Sequence, residues 1–153
     1  MLSAKKYGNE KGQKYIDWFA KFAKPLRNIL TRKGSIVIEI GNSWTPGYPT
    51  YSLIEIKALM KFMKVGNFKL CQKFVWHNPA KLPGPAEWVT KYRERVKDSF
   101  TEIWWFSKTE RPNADNREVL SEYSKGMLKL LERQKYNSGK RATGHNINKK
   151  SFL

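Results

Sequence analysis

The chain has 153 residues, and its 30 lysines and arginines outnumber its 13 acidic residues, which gives a net charge of +17. An excess of this size attracts polyanions, so it favours nucleic acid or an anionic membrane as the partner. Apolar residues make up 40% of the chain, but they come in short blocks that fall well short of the roughly 18 consecutive residues of a membrane span. The composition therefore argues against a membrane protein and favours a nucleic-acid-binding one.

The chain shows no sign of export or of metal binding. Residues 1–14 are basic and lack the apolar core of a secretory signal. Cys71 is the single cysteine, so no internal disulfide can form. His77 and His145 lie in different contexts and do not make a metal site with one lone cysteine. We expect a cytoplasmic protein without a metal.

The first half alternates helix and strand. Between Glu10 and Leu30 the apolar residues recur every three or four positions, which predicts one helix that Pro25 kinks or restarts. The β-branched run SIVIEI, residues 35–40, is typical of a strand buried on both faces. After the loop NSWTPGYPT comes a second helix, for which Ser52 and Glu55 form a capping box.

This second helix carries an apolar stripe, formed by Leu53, Ile56, Leu59, Met60 and Met63. The order helix, strand, helix, strand with short connections is what a parallel sheet with covering helices requires. The first half therefore predicts an α/β fold.

Two further strands follow, at residues 68–77 and 100–107. Residues 78–99 between them carry no long apolar period, which argues against a buried crossover helix and for an antiparallel strand pair. Long ordered excursions of this kind are usually functional. We refer to residues 78–99 as the excursion.

The end of the chain differs in character. After Thr109 the pattern predicts small helices outside the sheet, and residues 135–153 are polar and without apolar period, which predicts a mobile tail or a loop that orders on binding. We divide the chain into a core, residues 1–109, and a recognition region with a flexible tail, residues 110–153.

Several sequence blocks resemble one known family. They are KKYGNE and YIDWFAKFAK near the start, the strand GSIVIEIG, the block WHNPAKLPGPAEWV, the run RVKDS leading into IWWFSKTERPNAD, and GHNINKKSF at the end. These blocks cover nearly the whole chain and are similar to the β-group of amino-methyltransferases from restriction and modification systems, most closely to its cytosine-N4-specific members.

The resemblance implies a fold and an activity. The fold would be a partial Rossmann-like methyltransferase sheet, with parallel strands plus an antiparallel edge pair and a small helical recognition appendage. The activity would be transfer of a methyl group from S-adenosyl-L-methionine to cytosine N4 in double-stranded DNA. The cytosine amino group is a poor nucleophile, so such an enzyme must swing the base out of the duplex and align it with the donor.

Two family motifs are missing from the chain. The catalytic Pro-Pro loop is absent because no two of the seven prolines are adjacent, and the donor motif Gly-x-Gly is absent because no two of the ten glycines lie two positions apart. We therefore expect a central fragment that is inactive by itself, to be completed by missing segments or a second chain.

Two other interpretations stay open. Adenine-N6 methyltransferases of the same group share the fold and the donor, and the missing loop mainly sets the target base. A non-catalytic basic DNA-binding module would also explain the charge.

The predicted DNA-binding residues fall in the excursion and in the tail. Cationic side chains can neutralise phosphates, aromatic ones can stack on bases, and Arg and Asn can pair with base edges. The set consists of Asn78, Lys81, Trp88, Lys91, Tyr92, Arg93, Arg95, Lys97, Lys140, Arg141, His145, Asn146 and Asn148.

Overall fold

The structure, a computed structural model, describes residues 10–133 and 139–147. Contacts divide the chain into two compact units, Met1–Asn113 and Ala114–Leu153.

Three helices belong to the first unit. Helix α1 spans Gly12–Ala20, α2 spans Ala23–Ile29 and α3 spans Ile54–Gly66. The break between α1 and α2 confirms the restart predicted from Pro25, whose ring tolerates only the first turn of a helix. The longest described helix is α3 with 13 residues, and the described helices are too short and too charged to cross a bilayer.

Helix α3 buries part of the predicted stripe, because Leu59 is buried and Ile56 and Met63 pack against the core. Its buried residues are Glu55, Ala58, Leu59, Phe62 and Gly66. Met60 and Leu53, which belong to the predicted stripe, are 57% and 48% exposed. The predicted capping box is also wrong, because the N-cap is Leu53 without a side-chain hydrogen bond and the Glu55 carboxylate turns toward Ser43.

A three-stranded sheet lies beside these helices. Strand β1 spans Ser35–Ile40, β2 spans Lys69–His77 and β3 spans Phe100–Ser107, in the order β1-β3-β2. Both ladders are antiparallel. The predicted antiparallel pair of β2 and β3 is confirmed.

The predicted parallel pairing is wrong for these strands, because β3 lies between β1 and β2. The two outer strands run in the same direction but bond to β3 and not to each other. Strand periodicity indicates where a strand lies and which residues share a face, but it does not identify the neighbouring strand.

The core lies on one face of the sheet. Phe106 and Trp104 of β3 pack with Leu59 and Phe62 of α3, and the isoleucines of β1 lie against this cluster. The opposite face is largely open in the described residues. Val37 is 63% exposed there, so the prediction that β1 is buried on both faces is wrong.

The second unit contains small elements. A 3₁₀ turn spans Asn116–Val119 and helix α4 spans Lys125–Arg133. Strands β4, Gly139–Lys140, and β5, Asn146–Ile147, form an antiparallel hairpin. The polar tail thus contains a short hairpin in its described part, and its predicted mobility stays a prediction.

Candidate nucleic-acid interface

The ends of β1 and β2 and the start of β3 lie at one end of the sheet. Ile40 of β1 pairs with Glu102 of β3, and His77 of β2 pairs with Phe100. Strands β1 and β2 therefore finish where β3 begins, and we call this end the carboxyl edge. The loop that follows β1, residues 42–52, and the excursion both leave from it. Ligands of α/β proteins commonly bind beyond the carboxyl ends of strands.

The loop 42–52 folds back on itself as a small hairpin. Trp44 and Tyr51 form an isolated antiparallel bridge, and their rings stack with centroids 4.6 Å apart. The amide of Thr45 donates to the carbonyl of Thr50 at 2.8 Å. Gly47 has a φ of +79° at the turn, a conformation that favours glycine. The loop is thus an ordered aromatic hairpin at the carboxyl edge.

Two residues of the excursion hold this hairpin. The Arg95 guanidinium lies 3.8 Å from the Trp44 ring centroid and 4.7 Å from that of Tyr51, and it donates to the carbonyl of Pro49. Asp98 accepts from the Tyr51 hydroxyl at 3.1 Å and from the Asn42 amide at 2.7 Å. Asp98 is buried, and these donors offset the cost of removing its charge from water.

Burial raises the pKa of the Tyr51 phenol, and the nearby Asp98 carboxylate adds to the rise. The phenol is therefore kept protonated and able to donate. Sequence reasoning did not find Asp98, Tyr51 or Trp44, although RVKDS was one of the quoted family blocks and could have pointed to Asp98.

A cavity of about 640 Å³ lies near the same edge. It is lined by residues at the starts of α1 and α3 and at the end of β1, including Tyr15, Ser43 and Glu55. Glu55 is 7% exposed and accepts from the Ser43 hydroxyl at 2.5 Å. Burial raises the pKa of the Tyr15 phenol, with a further contribution from Glu55. The sequence did carry a signal for Glu55. It lies four residues before Leu59, so both side chains fall on the same face of a helix.

The excursion is mostly loop, with one π-helical turn at Glu87–Lys91. Some of its predicted DNA-binding residues have partners within the chain. The Asn78 side chain accepts from the amide of Ala80, the Lys81 ammonium donates to the carbonyl of Phe100, and the Lys97 ammonium donates to the carbonyl of Pro79. These contacts stabilise the excursion itself.

Other predicted residues lie at its surface. Lys91, Tyr92 and Arg93 are exposed, and Tyr92 packs on half-buried Trp88 with ring centroids 5.3 Å apart. The Lys91 ammonium lies 4.9 Å from the Tyr92 ring centroid. This exposed group of cations and an aromatic ring matches the chemistry that binds a nucleic-acid backbone and its bases.

The tail residues lie on and around the hairpin of the second unit. Lys140, Arg141, His145 and Asn146 are all exposed. The amide of Arg141 donates to the carbonyl of His145 at 2.8 Å, which closes the hairpin turn. Asn148, also predicted to bind DNA, lies outside the described residues. Nothing in the structure tests the DNA contacts of this set, which stay predictions.

Within residues 10–133 and 139–147, no cluster of His, Cys, Asp and Glu could hold a metal ion.

An ordered aromatic hairpin and a basic excursion at one end of an antiparallel sheet, with helices on one face, define an α/β protein with a candidate nucleic-acid interface. A family model described as DNA methylase matches residues 3–150. The chain belongs to this DNA methylase family, which confirms the predicted resemblance.

A sequence comparison and a structural comparison both find a PvuII methyltransferase. The chain is 42% identical over 147 residues to the type II methyltransferase M.PvuII of Proteus hauseri. The solved structure of the PvuII DNA methyltransferase, which is cytosine-N4-specific, superposes with a TM-score of 0.68 at 36% identity over 88% of the chain. The chain covers 44% of the first relative and 52% of the solved chain, so it spans about half their length.

Proposed function

We propose that this chain is the scaffold and DNA-recognising part of a site-specific DNA methyltransferase that modifies cytosine N4. The observation that carries the proposal is the family match over residues 3–150, together with the 42% identity to a type II methyltransferase. The net charge of +17 and the exposed cations of the excursion support DNA as the partner.

The methyl donor of such an enzyme would be S-adenosyl-L-methionine, which supplies the methyl group when bound. The described residues do not fit a donor site. The sequence has no Gly-x-Gly turn, the motif with which the family binds the donor. We therefore assign donor binding and transfer to segments other than these, and DNA binding to the residues described above.

The DNA-facing residues would act in two ways. Lys91 and Arg93 would neutralise phosphates, which makes affinity fall steeply with salt. Exposed Tyr92 on the same surface would stack on a base that has left the duplex. Arg141 and Asn146 of the hairpin in the second unit are of the types that pair with guanine and adenine edges.

The sheet supports the proposal that further segments complete the enzyme. On the open face, Val37, Phe74 and Trp76 are 63%, 42% and 52% exposed. Among the described residues, β1 pairs only with β3, so its other edge offers unpaired backbone groups. We propose that added strands extend the sheet from β1 in a parallel, Rossmann-like arrangement, and that helices cover the open face.

The deciding experiment measures methyl transfer to duplex DNA with and without a second polypeptide that carries the Pro-Pro and Gly-x-Gly motifs. Labelled donor reports turnover, and mass spectrometry of the digested DNA identifies the modified nucleoside. We expect no turnover by the 153 residues alone and N4-methylcytosine in the mixture.

Each other result contradicts a specific part of the proposal. Turnover by the chain alone would overturn the fragment interpretation. N6-methyladenine in the mixture would assign the chain to the adenine-specific enzymes of the group. If the chain binds DNA but no methylation occurs with or without the second polypeptide, the chain is a non-catalytic basic DNA-binding module.

A further inference from the structure

The Arg95 side chain makes three contacts within the chain. Its guanidinium lies against the rings of Trp44 and Tyr51 and donates to the Pro49 carbonyl. Its side chain is half-buried, whereas Lys91 and Arg93 of the same excursion are exposed. A planar guanidinium suits this position because it can stack on aromatic rings and donate in its own plane at the same time.

A second link runs parallel to the first. Three residues after Arg95, the Asp98 carboxylate holds the Tyr51 hydroxyl and the Asn42 amide. The two links join the end of β1, both arms of the hairpin and the segment that enters β3. The hairpin and the excursion are thereby tied by side chains of both segments, and neither can shift far without breaking a part-buried polar contact.

We propose that Arg95 is a positioning residue, which together with Asp98 orders the loop 42–52 against the carboxyl edge and fixes the DNA-facing excursion relative to it. In this role Arg95 does not neutralise a phosphate. The consequence for DNA binding rests on the proposed function, whereas the ordering of the loop does not.

The first test uses the free 153-residue chain and amide hydrogen exchange. The amides of Thr45, Tyr48 and Ser52 are hydrogen-bonded within the hairpin. In Arg95→Lys, which keeps the charge but loses the planar group, we expect these amides to exchange about tenfold faster, because an ammonium cannot stack flat on the rings and donate in its own plane at the same time. Amides of the β1–β3 ladder that exchange through local opening, with the Arg95 contacts intact, are the reference and should keep their rates.

Asp98→Asn is the second variant, because it removes no positive charge. An asparagine replaces one carboxylate oxygen with an NH₂ donor and removes the charge, so neither the Asn42 amide nor the Tyr51 hydroxyl keeps a charge-assisted hydrogen bond. We expect the same faster exchange confined to the hairpin. Unchanged hairpin exchange in both variants would overturn the proposal.

The third measurement separates positioning from phosphate binding. Affinity for duplex DNA is measured by fluorescence anisotropy across a salt series, with Lys91→Ala as the matched control. A lost phosphate contact lowers the salt slope by about one, and we expect this for Lys91→Ala. For Arg95→Ala, which removes the same charge as Lys91→Ala, and for Asp98→Asn we expect weaker binding with an unchanged slope.

The outcomes distinguish this inference from the proposed function. If Arg95→Lys binds DNA as tightly as the wild type, and its hairpin amides exchange at the wild-type rate, Arg95 acts as a cation at the surface and the inference fails. If the wild-type chain binds no DNA while Arg95→Lys loosens the hairpin, the positioning role stands and the proposed function fails.

Discussion

Trp104 of β3 lies directly opposite Ile38 of β1, and on the other side of the same strand it pairs with Lys73 of β2. The Lys73 ammonium lies 4.5 Å from the Trp104 ring centroid and 3.0 Å from the Glu102 carboxylate, which also accepts from the Trp104 indole at 2.9 Å. This arrangement fixes β3 as the central strand, because its side chains have partners on both neighbours.

The core beside Trp104 should be sensitive to truncation. Phe106 is fully buried against Phe62, with ring centroids 6.1 Å apart. We expect Phe106→Ala to lower the free energy of unfolding by about 3–5 kcal/mol, as aromatic truncations in cores do. Urea denaturation followed by circular dichroism measures it. Ile29→Ala, at a side chain 79% exposed, is the control and should change little.

The end of α3 should not accept a larger residue. A Cβ on Gly66 would overlap carbons of the buried Phe68 ring. We expect Gly66→Ala to destabilise the protein by about 1–3 kcal/mol through overpacking, in spite of the better helix propensity of alanine. At Gly41 an added Cβ meets no atom within 4 Å, so Gly41→Ala is the matched control. Equal unfolding midpoints for the two variants would contradict this packing.

The ion pair between α1 and α3 should make stability depend on pH. The Lys61 ammonium lies 2.5 Å from the Asp17 carboxylate, and this hydrogen bond, with one from Gln13, lowers the Asp17 pKa below its ordinary 3.8. A lowered pKa stabilises the folded state above the ordinary value, and the contribution is lost as pH falls through the folded pKa.

We therefore expect Asp17→Asn to shift the urea midpoint slightly downward at pH 7, and to match the wild type once the pH lies below the folded pKa. The pair is exposed, so added salt should shrink the difference at pH 7. A difference that persists in acid would assign the effect to packing and not to charge.

Cys71 should react slowly in the folded chain. Burial raises the pKa of its thiol above the ordinary 9.0, and only the thiolate reacts with alkylating agents. At pH 8 we expect iodoacetamide to label the native chain more slowly than the chain unfolded in urea. Mass spectrometry follows the added mass, and Cys71→Ser serves as the unlabelled control. Equal rates in both states would show that the thiol is not protected.

The cations of the excursion should separate into two groups. Lys91, Arg93 and Lys97 are all exposed, but the Lys97 ammonium already donates to the Pro79 carbonyl at 2.6 Å. We expect the double variant Lys91→Ala/Arg93→Ala to lower the salt slope of DNA binding by about two, close to 0.9 per lost phosphate contact. Lys97→Ala should leave the slope nearer the wild-type value. Identical slopes for all variants would contradict a phosphate-binding role for this surface.

Local patterns were sufficient to find the elements. The period of three and four around Trp18, the β-branched run of β1 and the alternation in β2 depend on neighbours a few residues apart, so sequence alone exposes them. The same holds for Pro25, whose own geometry interrupts a continuous helix. The family blocks also identify the family by themselves, because each is long and specific.

The site was harder to predict because its contacts are distant in sequence. Charge alone predicts a DNA contact for Arg95, but its place against the rings of Trp44 and Tyr51 depends on a chain reversal of more than 40 residues. For Glu55 the local rule predicts a capping box, while its real donor, Ser43, reaches it from another segment. Such long-range polar pairs leave no periodic signal.

The sequence by itself determined the net charge, the positions of the main helices and of the three strands of the sheet, the family and the absence of the Pro-Pro and Gly-x-Gly motifs. The tertiary structure alone decided that β3 lies between β1 and β2, that Glu55 and Phe62 of α3 are buried while Met60 is exposed, and that Arg95 and Asp98 hold the aromatic hairpin. The physical reason is that hydrophobic periodicity encodes which side of an element is apolar. The choice of neighbour depends on packing and hydrogen bonds between segments far apart in the chain.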